Sequence, residues 1–341
     1  MSLLAVQNPP NPWASTDVEW IGPPPTAKLQ IYVDQTREIL ARNDSPDLPF
    51  TWSVNPYRGC FHGCAYCYAR PTHQRLGLGA GTDFERKLVV KTNAVELLRE
   101  EFERPRWRGD ALALSGVTDC YQPLEASYGL TRGLLQVCLE YRNPVGIVTK
   151  GALVRRDLDL LVALHEVTTL RVYLSIPFAD DAMGRAIEPY AASISRRFAA
   201  LRALSEAGIT TGVSVSPVIP GLSDEQIPEI LERAREAGAQ RAFMVMLRLP
   251  AEVRPVFLER LHEAVPLRAG KVISAIEQSR GGGLNDSRFG QRMKGQGPRW
   301  AAIEALFAAH YRRLGFGEDR GQLQHQPTTF RRPRAQRELF E

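Results

Sequence analysis

Three of the five cysteines in this 341-residue chain fall within eight positions: Cys60, Cys64 and Cys67, in the stretch NPYRGCFHGCAYCYAR. The spacing is C-x₃-C-x₂-C, and no other feature limits fold and chemistry so strongly. Gly59 and Gly63 allow the loop to wrap tightly around an object at its centre. Three thiolates on one short loop can hold a soft metal or an iron–sulfur cluster. Three is one short of a closed four-ligand site, so one metal position stays open to a substrate or cofactor. The competing reading is a zinc site with His62 or His73 as fourth ligand. Zinc sites usually draw ligand pairs from two separate places, and the chain has no second CxxC or HxxxH. The odd cysteine count argues against a disulfide framework.

Hydrophobic residues make up 44% and charged residues 24%, globular values that exclude overall disorder. No run approaches the ~20 apolar residues of a membrane span. The N-terminus lacks the basic start and apolar core of a signal peptide. A soluble, cytoplasmic protein with no membrane partner is expected. The net charge is +5, with 37 Arg against 6 Lys. Arginine grips phosphate and carboxylate bidentately, which suits anionic partners such as nucleic acid; codon bias in a GC-rich genome explains the same numbers.

Apolar, β-branched runs recur at 51–54, 111–114, 145–149, 170–175, 211–215 and 243–247, each followed by a helical pattern. Six strand–helix units imply a parallel sheet, closed as a partial barrel or open and doubly wound. Ligands then bind at the C-terminal strand ends, in the loops after Val54, Leu114, Thr149, Ser175, Val215 and Leu247. A short strand near 29–33 and a helix from about Gln35 are expected upstream. Ser223 and Gln226 read as a capping box opening a helix through Arg235. A Gly/Arg-rich stretch, 280–297, breaks the rhythm; Arg280, Arg288, Arg292, Lys294 and Arg299 make it a phosphate-binding loop, a solvated lid or a cap on the barrel. A helix over 298–314 follows. The expected divisions are a Pro-rich extension (1–49), a core barrel (50–264), a helical Gly/Arg-rich segment (265–317) and a mobile basic tail (318–341).

The cysteine stretch resembles the C-x₃-C-x-aromatic-C signature of radical S-adenosylmethionine (SAM) enzymes. The strings NPYRGCFHGCAYCYARPTH, SGVTDCYQPLE, IVTK, LSIP, the Glu188-Pro189 pair and VSPVIPGLSD look like the group related to spore photoproduct lyase, often described as DNA repair photolyases. The resemblance spans roughly 50–315. It implies an α/β fold, a partial (β/α)₆ TIM-type barrel with an N-terminal extension and a C-terminal helical appendage. It implies a [4Fe–4S] cluster on Cys60, Cys64 and Cys67, whose fourth iron chelates SAM. It further implies reductive cleavage to a 5′-deoxyadenosyl radical that abstracts hydrogen, and an external electron donor of flavodoxin or ferredoxin type. Tyr66 would lie by the adenine. Ser115, Gly116, Thr118 and Asp119 stand where the family holds the SAM amino group. Lys150 would face the SAM carboxylate and Ser175 the ribose or methionine end. Arg197 would aim at a carboxylate of SAM or of Glu188, and Val218 would pack near the adenine.

Cys120 sits one residue past Asp119. It is either a hydrogen-atom donor of the kind the lyase uses or a small buried hydrophobe. Gly116 falls where the lyase's cysteine would be, which puts lyase activity itself in doubt. Cys138 reads as core. Tyr121 and Gln122 are candidates for the substrate wall. The substrate class stays open between nucleic acid, a peptide and a small metabolite, and a zinc-stabilised, non-catalytic DNA-binding protein is the competing class. Gln336, Leu339 and Phe340 near the C-terminus resemble the Q-x-x-L-F peptide with which DNA-repair proteins dock on the replication sliding clamp.

Overall fold

The computed structural model describes residues 28–317 and 328–333. Its strands are β1 (Gln30–Asp34), β2 (Leu40–Arg42), β3 (Trp52–Val54), β4 (Tyr57–Arg58), β5 (Lys87–Lys91), β6 (Leu112–Leu114), β7 (Val145–Thr149), β8 (Leu170–Ser175), β9 (Thr211–Val218) and β10 (Arg241–Met246). The larger sheet has the order β10-β9-β8-β7-β6-β3-β2. Six of its strands, β3 and β6 to β10, run parallel in chain order, and β2 pairs antiparallel with β3 at one edge. β3 and β10 do not pair, so the sheet stays open: it is the six-unit partial barrel expected.

The central strands are covered on both faces, with apolar residues such as Leu170, Val172 and Leu174 of β8 sharing one face. All six residues of β8 are buried, as a parallel strand covered on both sides requires. Helices such as Leu130–Glu140 and Ile194–Glu206 cover the sheet with Leu134, Leu135, Val137 and Cys138, and with Phe198, Leu201 and Leu204. The buried Glu125 carboxylate accepts the N–H groups of Thr131 (2.8 Å) and Arg132 (3.2 Å), closing the N-terminus of the first of these helices.

A second sheet, β1-β5-β4, was not expected beyond the strand near 29–33. It buttresses the cysteine loop: Cys60 N–H donates to Phe84 O (2.9 Å) and Lys91 N–H to Pro56 O (2.9 Å). Two local expectations are corrected. No helix starts at Gln35, because the chain there is tied to the second sheet through Gln35 to Thr92 and Asn93 to Thr36 O. The capping box does not form either. Ser223 Oγ instead accepts the Ile219 N–H, and Gln226 reaches across to the Ala179 N–H.

Residues 328–333, assigned to a mobile tail, lie against the N-terminal ends of the strands. Phe330 packs on Phe102 and Tyr141, and Thr328 donates to Gly109 O. The clamp-like residues Gln336, Leu339 and Phe340 lie outside the described residues. Among the described residues no helix is long and apolar enough to cross a membrane.

Candidate active site

The cysteine loop leaves β3 at the C-terminal face of the larger sheet. Gly59 and Gly63 both have positive φ, +72° and +65°, and a Cβ on Gly59 would lie 2.7 Å from Leu88 and 2.9 Å from the Phe84 carbonyl. Only glycine makes this wrap. Cys60 and Cys64 are buried and Cys67 is partly open. Burial pushes the Cys64 and Cys67 thiols upward, Cys67 to about 11, with Cys60 adding to the rise and Arg70 opposing it.

Three sets of contacts hold the loop. From behind, the fully buried Arg70 donates to the carbonyls of Gly63, Cys64, Ala80 and Gly81 and pairs with Glu85. From the β6 side, Gln122 accepts the Phe61 N–H (2.9 Å) and donates to Gly59 O (3.2 Å). Asn55 Oδ1 accepts the N–H groups of Val117 and Thr118. From the other side, Ala65 N–H donates to Ile187 O (3.0 Å) and Tyr190 N–H to His62 O (3.2 Å). Neither Arg70 nor Asn55 was singled out from sequence. Their only signal was position, three residues after Cys67 and directly after β3.

Glu188 is the hub of the neighbouring polar network. Tyr66 donates its hydroxyl to one carboxylate oxygen, Arg197 its guanidinium to the other, and Lys150 Nζ stands 3.8 Å away. Burial raises the Glu188 pKa and Arg197 opposes the rise. Arg197 also donates to Ala192 O and Ser175 O, so its bond to Glu188, one of its two expected targets, is made. Lys150 Nζ donates to Ser175 Oγ (2.9 Å), bringing together two residues 25 positions apart. Ser115 takes positive φ (+74°), a strained choice for a non-glycine residue, and Gly116 O accepts the Tyr68 hydroxyl (2.8 Å).

Several of the expected site residues are engaged by protein partners. Asp119 accepts from Thr149 Oγ1 (2.6 Å), Lys150 N–H (2.7 Å) and Tyr121 N–H (2.9 Å), and faces His62 at 3.4 Å. It is a half-buried bracket between three loops. Burial alone would raise its pKa, but His62 and these donors hold it well below the carboxylate range. Burial works against charge on His62 as well; Cys60 and Asp119 outweigh it and raise its pKa to about 10. Thr118 donates to Tyr57 O. Gln122 is fully buried and clamps the loop through Phe61 and Gly59. Tyr121 is buried beneath Gly151. Cys120 has no exposed surface and packs in the core. Val218 is fully buried and its carbonyl accepts the Leu247 N–H.

The donor set separates the two metal readings. Among the described residues no three His, Cys, Asp or Glu side chains converge where one ion could sit. His73 Nε2 bonds Lys87 O (2.7 Å) and His62 faces Asp119, so neither completes a zinc site. In a cluster each cysteine binds a different iron, which needs wider-set sulfurs. Three neighbouring thiols on one loop, with Lys150 and Arg70 offsetting part of the rise that burial gives Cys64 and Cys67, fit that arrangement.

The Radical SAM superfamily profile matches residues 54–234, more than half the chain, across this loop and the first five barrel strands. The chain belongs to the radical SAM superfamily. The superfamily uses a [4Fe–4S] cluster and SAM, and its members need an electron donor. Relatives include the uncharacterized protein Rv2578c of Mycobacterium tuberculosis, 38% identical over 221 residues, 64% of this chain and 65% of that protein. The uncharacterized protein MJ0683 of Methanocaldococcus jannaschii is 33% identical over 198 residues, 58% of this chain and 71% of that one. The first match thus spans just under two thirds of its relative's length. Spore photoproduct lyase complexed with dinucleoside spore photoproduct superposes with TM-score 0.58 at 16% identity, covering 83% of this chain and 79% of that one. At that identity the likeness is one of fold.

Proposed function

We propose that this chain is a radical SAM enzyme in which Cys60, Cys64 and Cys67 hold the [4Fe–4S] cluster, acting on a substrate that carries nucleosides. The observation that carries the reading is the glycine-wrapped three-thiol loop at the C-terminal face of a six-strand partial barrel. When bound, the cluster and SAM supply one-electron cleavage of SAM and a hydrogen-abstracting 5′-deoxyadenosyl radical. The chain's part is to bind, orient and exclude water. Lys150, a cation at the end of β7, is placed to take the SAM carboxylate, with Ser175 beside it. Gly116 and the strained Ser115 offer backbone for the amino group. Tyr66, fixed by Glu188, sets one wall. A flavodoxin- or ferredoxin-type donor in the cytoplasm would supply the electron.

The nucleoside reading is supported by the fold shared with a lyase whose structure holds a dinucleoside, and by the arginines around the barrel mouth. The test is anaerobic reconstitution, reduction and detection of 5′-deoxyadenosine, followed by deuterium transfer into it from a labelled oligonucleotide. Colourless protein after reconstitution would remove the enzyme reading. Deuterium transfer from a peptide but not from DNA would change the substrate.

A further inference from the structure

Arg248 follows β10, the sixth parallel strand, and opens onto the face that carries the cysteine loop. It is half-buried. Its guanidinium lies 5.8 Å from the ring centroid of Tyr68, the residue after Cys67. That ring is 49% exposed. Among the described residues, Arg248 makes one weak hydrogen bond, Nη1 to the Met293 thioether at 3.9 Å, and its buried Nε has no hydrogen-bond partner.

The carboxylates nearby are committed elsewhere. Asp47 accepts the Gly290 N–H (2.6 Å) and the Arg292 Nε (2.5 Å), and Asp286 binds Arg288. Two more cations crowd the same place. Arg280 is buried and donates to four carbonyls, those of Leu247, Gln291, Arg292 and Lys294. Burial and the charge of Arg292 both lower the Arg248 pKa. A guanidinium among like charges, with donors to spare at a binding mouth, attracts an anion. Its fork matches phosphate. An exposed aromatic ring beside it is the usual platform for an unpaired base.

We propose that Arg248 binds a backbone phosphate of a single-stranded nucleic-acid substrate, next to the Tyr68 ring. The proposal rests on the nucleoside reading above. The reconstituted enzyme with SAM is titrated into a 5′-fluorescein-labelled oligothymidylate, and anisotropy is followed over a range of salt. Each phosphate contact on a single strand adds roughly 0.7 to the slope of log K against log salt. Arg248→Gln is expected to lower that slope by about 0.7 and to weaken binding several-fold. Arg248→Lys keeps the slope but binds less tightly, because the two-pronged contact is lost; it also serves if the glutamine variant does not fold.

Wild-type affinity in either variant overturns the role of Arg248 while leaving the nucleoside reading intact. An equal loss of SAM affinity, measured by equilibrium dialysis, assigns Arg248 to the cofactor and also overturns the proposal. Absence of salt-dependent binding by the wild-type enzyme removes the nucleic-acid reading and the proposal with it.

Discussion

Two loops on the same face of the barrel are each organised by one buried arginine, and they differ in counter-charge. Arg70 threads the cysteine loop through four carbonyls and ends on the Glu85 carboxylate. Arg280 threads the 280–297 loop through four carbonyls as well, but none of the hydrogen bonds named for it goes to a carboxylate. Burial lowers the Arg280 pKa to about 10, with Asp286 opposing and Arg248 adding a smaller drop. The lesson concerns charge. A neutralised arginine can act as internal scaffolding around a cofactor site. An arginine whose hydrogen bonds all end on carbonyls leaves a more cationic surround, and here that surround lies beside Arg248, with its weak contact to Met293.

The largest expected effect is on the cysteines. Replacing Cys60, Cys64 or Cys67 with Ala should abolish iron incorporation, about four irons per site in a cluster of this type, and 5′-deoxyadenosine formation with it. Iron content at the wild-type level would break the assignment of the loop. Next comes Arg70→Met, which strands Glu85 in the interior. Leaving a buried charge unpaired costs ~3–5 kcal/mol, read as a lower denaturant midpoint together with poor iron loading.

Arg280→Met removes four bonds but also an uncompensated charge, so a smaller loss of ~1–3 kcal/mol is expected. Faster proteolysis within 280–297 and normal iron content should accompany it. If Arg280→Met proved more damaging than Arg70→Met, counter-charge would not be what separates the two loops.

The smallest effect should come from Lys91, a buried cation that can shed its proton. Burial and Arg58 lower its pKa from 10.5 to about 8 in the folded chain, Asp34 opposing. Between those values the unfolded chain holds the proton and the folded chain does not, so its contribution to stability rises with pH. Below pH 8 the fold carries the charge at a cost. Lys91→Met should therefore raise the melting temperature at pH 7, and the gain should shrink between about pH 8 and 10.5. A pH-independent gain would point to packing instead.

Much of the fold was legible in the sequence. The six barrel strands announce themselves as β-branched runs, and the C-terminal helix, Gly297–Arg313, opens with proline in its first turn. β5 was not, because Leu88, Val89 and Val90 are all buried and show no alternation. Of the site, Lys150 and Ser175, singled out separately in the sequence, bond each other in the fold. Gln122 could not be read, since only the fold brings it to Gly59 and Phe61.

The sequence by itself determined the three-thiol loop, its glycines and the strand after which it falls, because these depend on covalent spacing and local backbone freedom. It also located the loop after Leu247 among the places for chemistry. Only the tertiary structure decided which polar groups are free. Asp119, Thr118 and Gln122 are consumed by partners distant in sequence, whereas Arg248 keeps its donors. Burial and long-range pairing set that difference, and neither is written in local spacing.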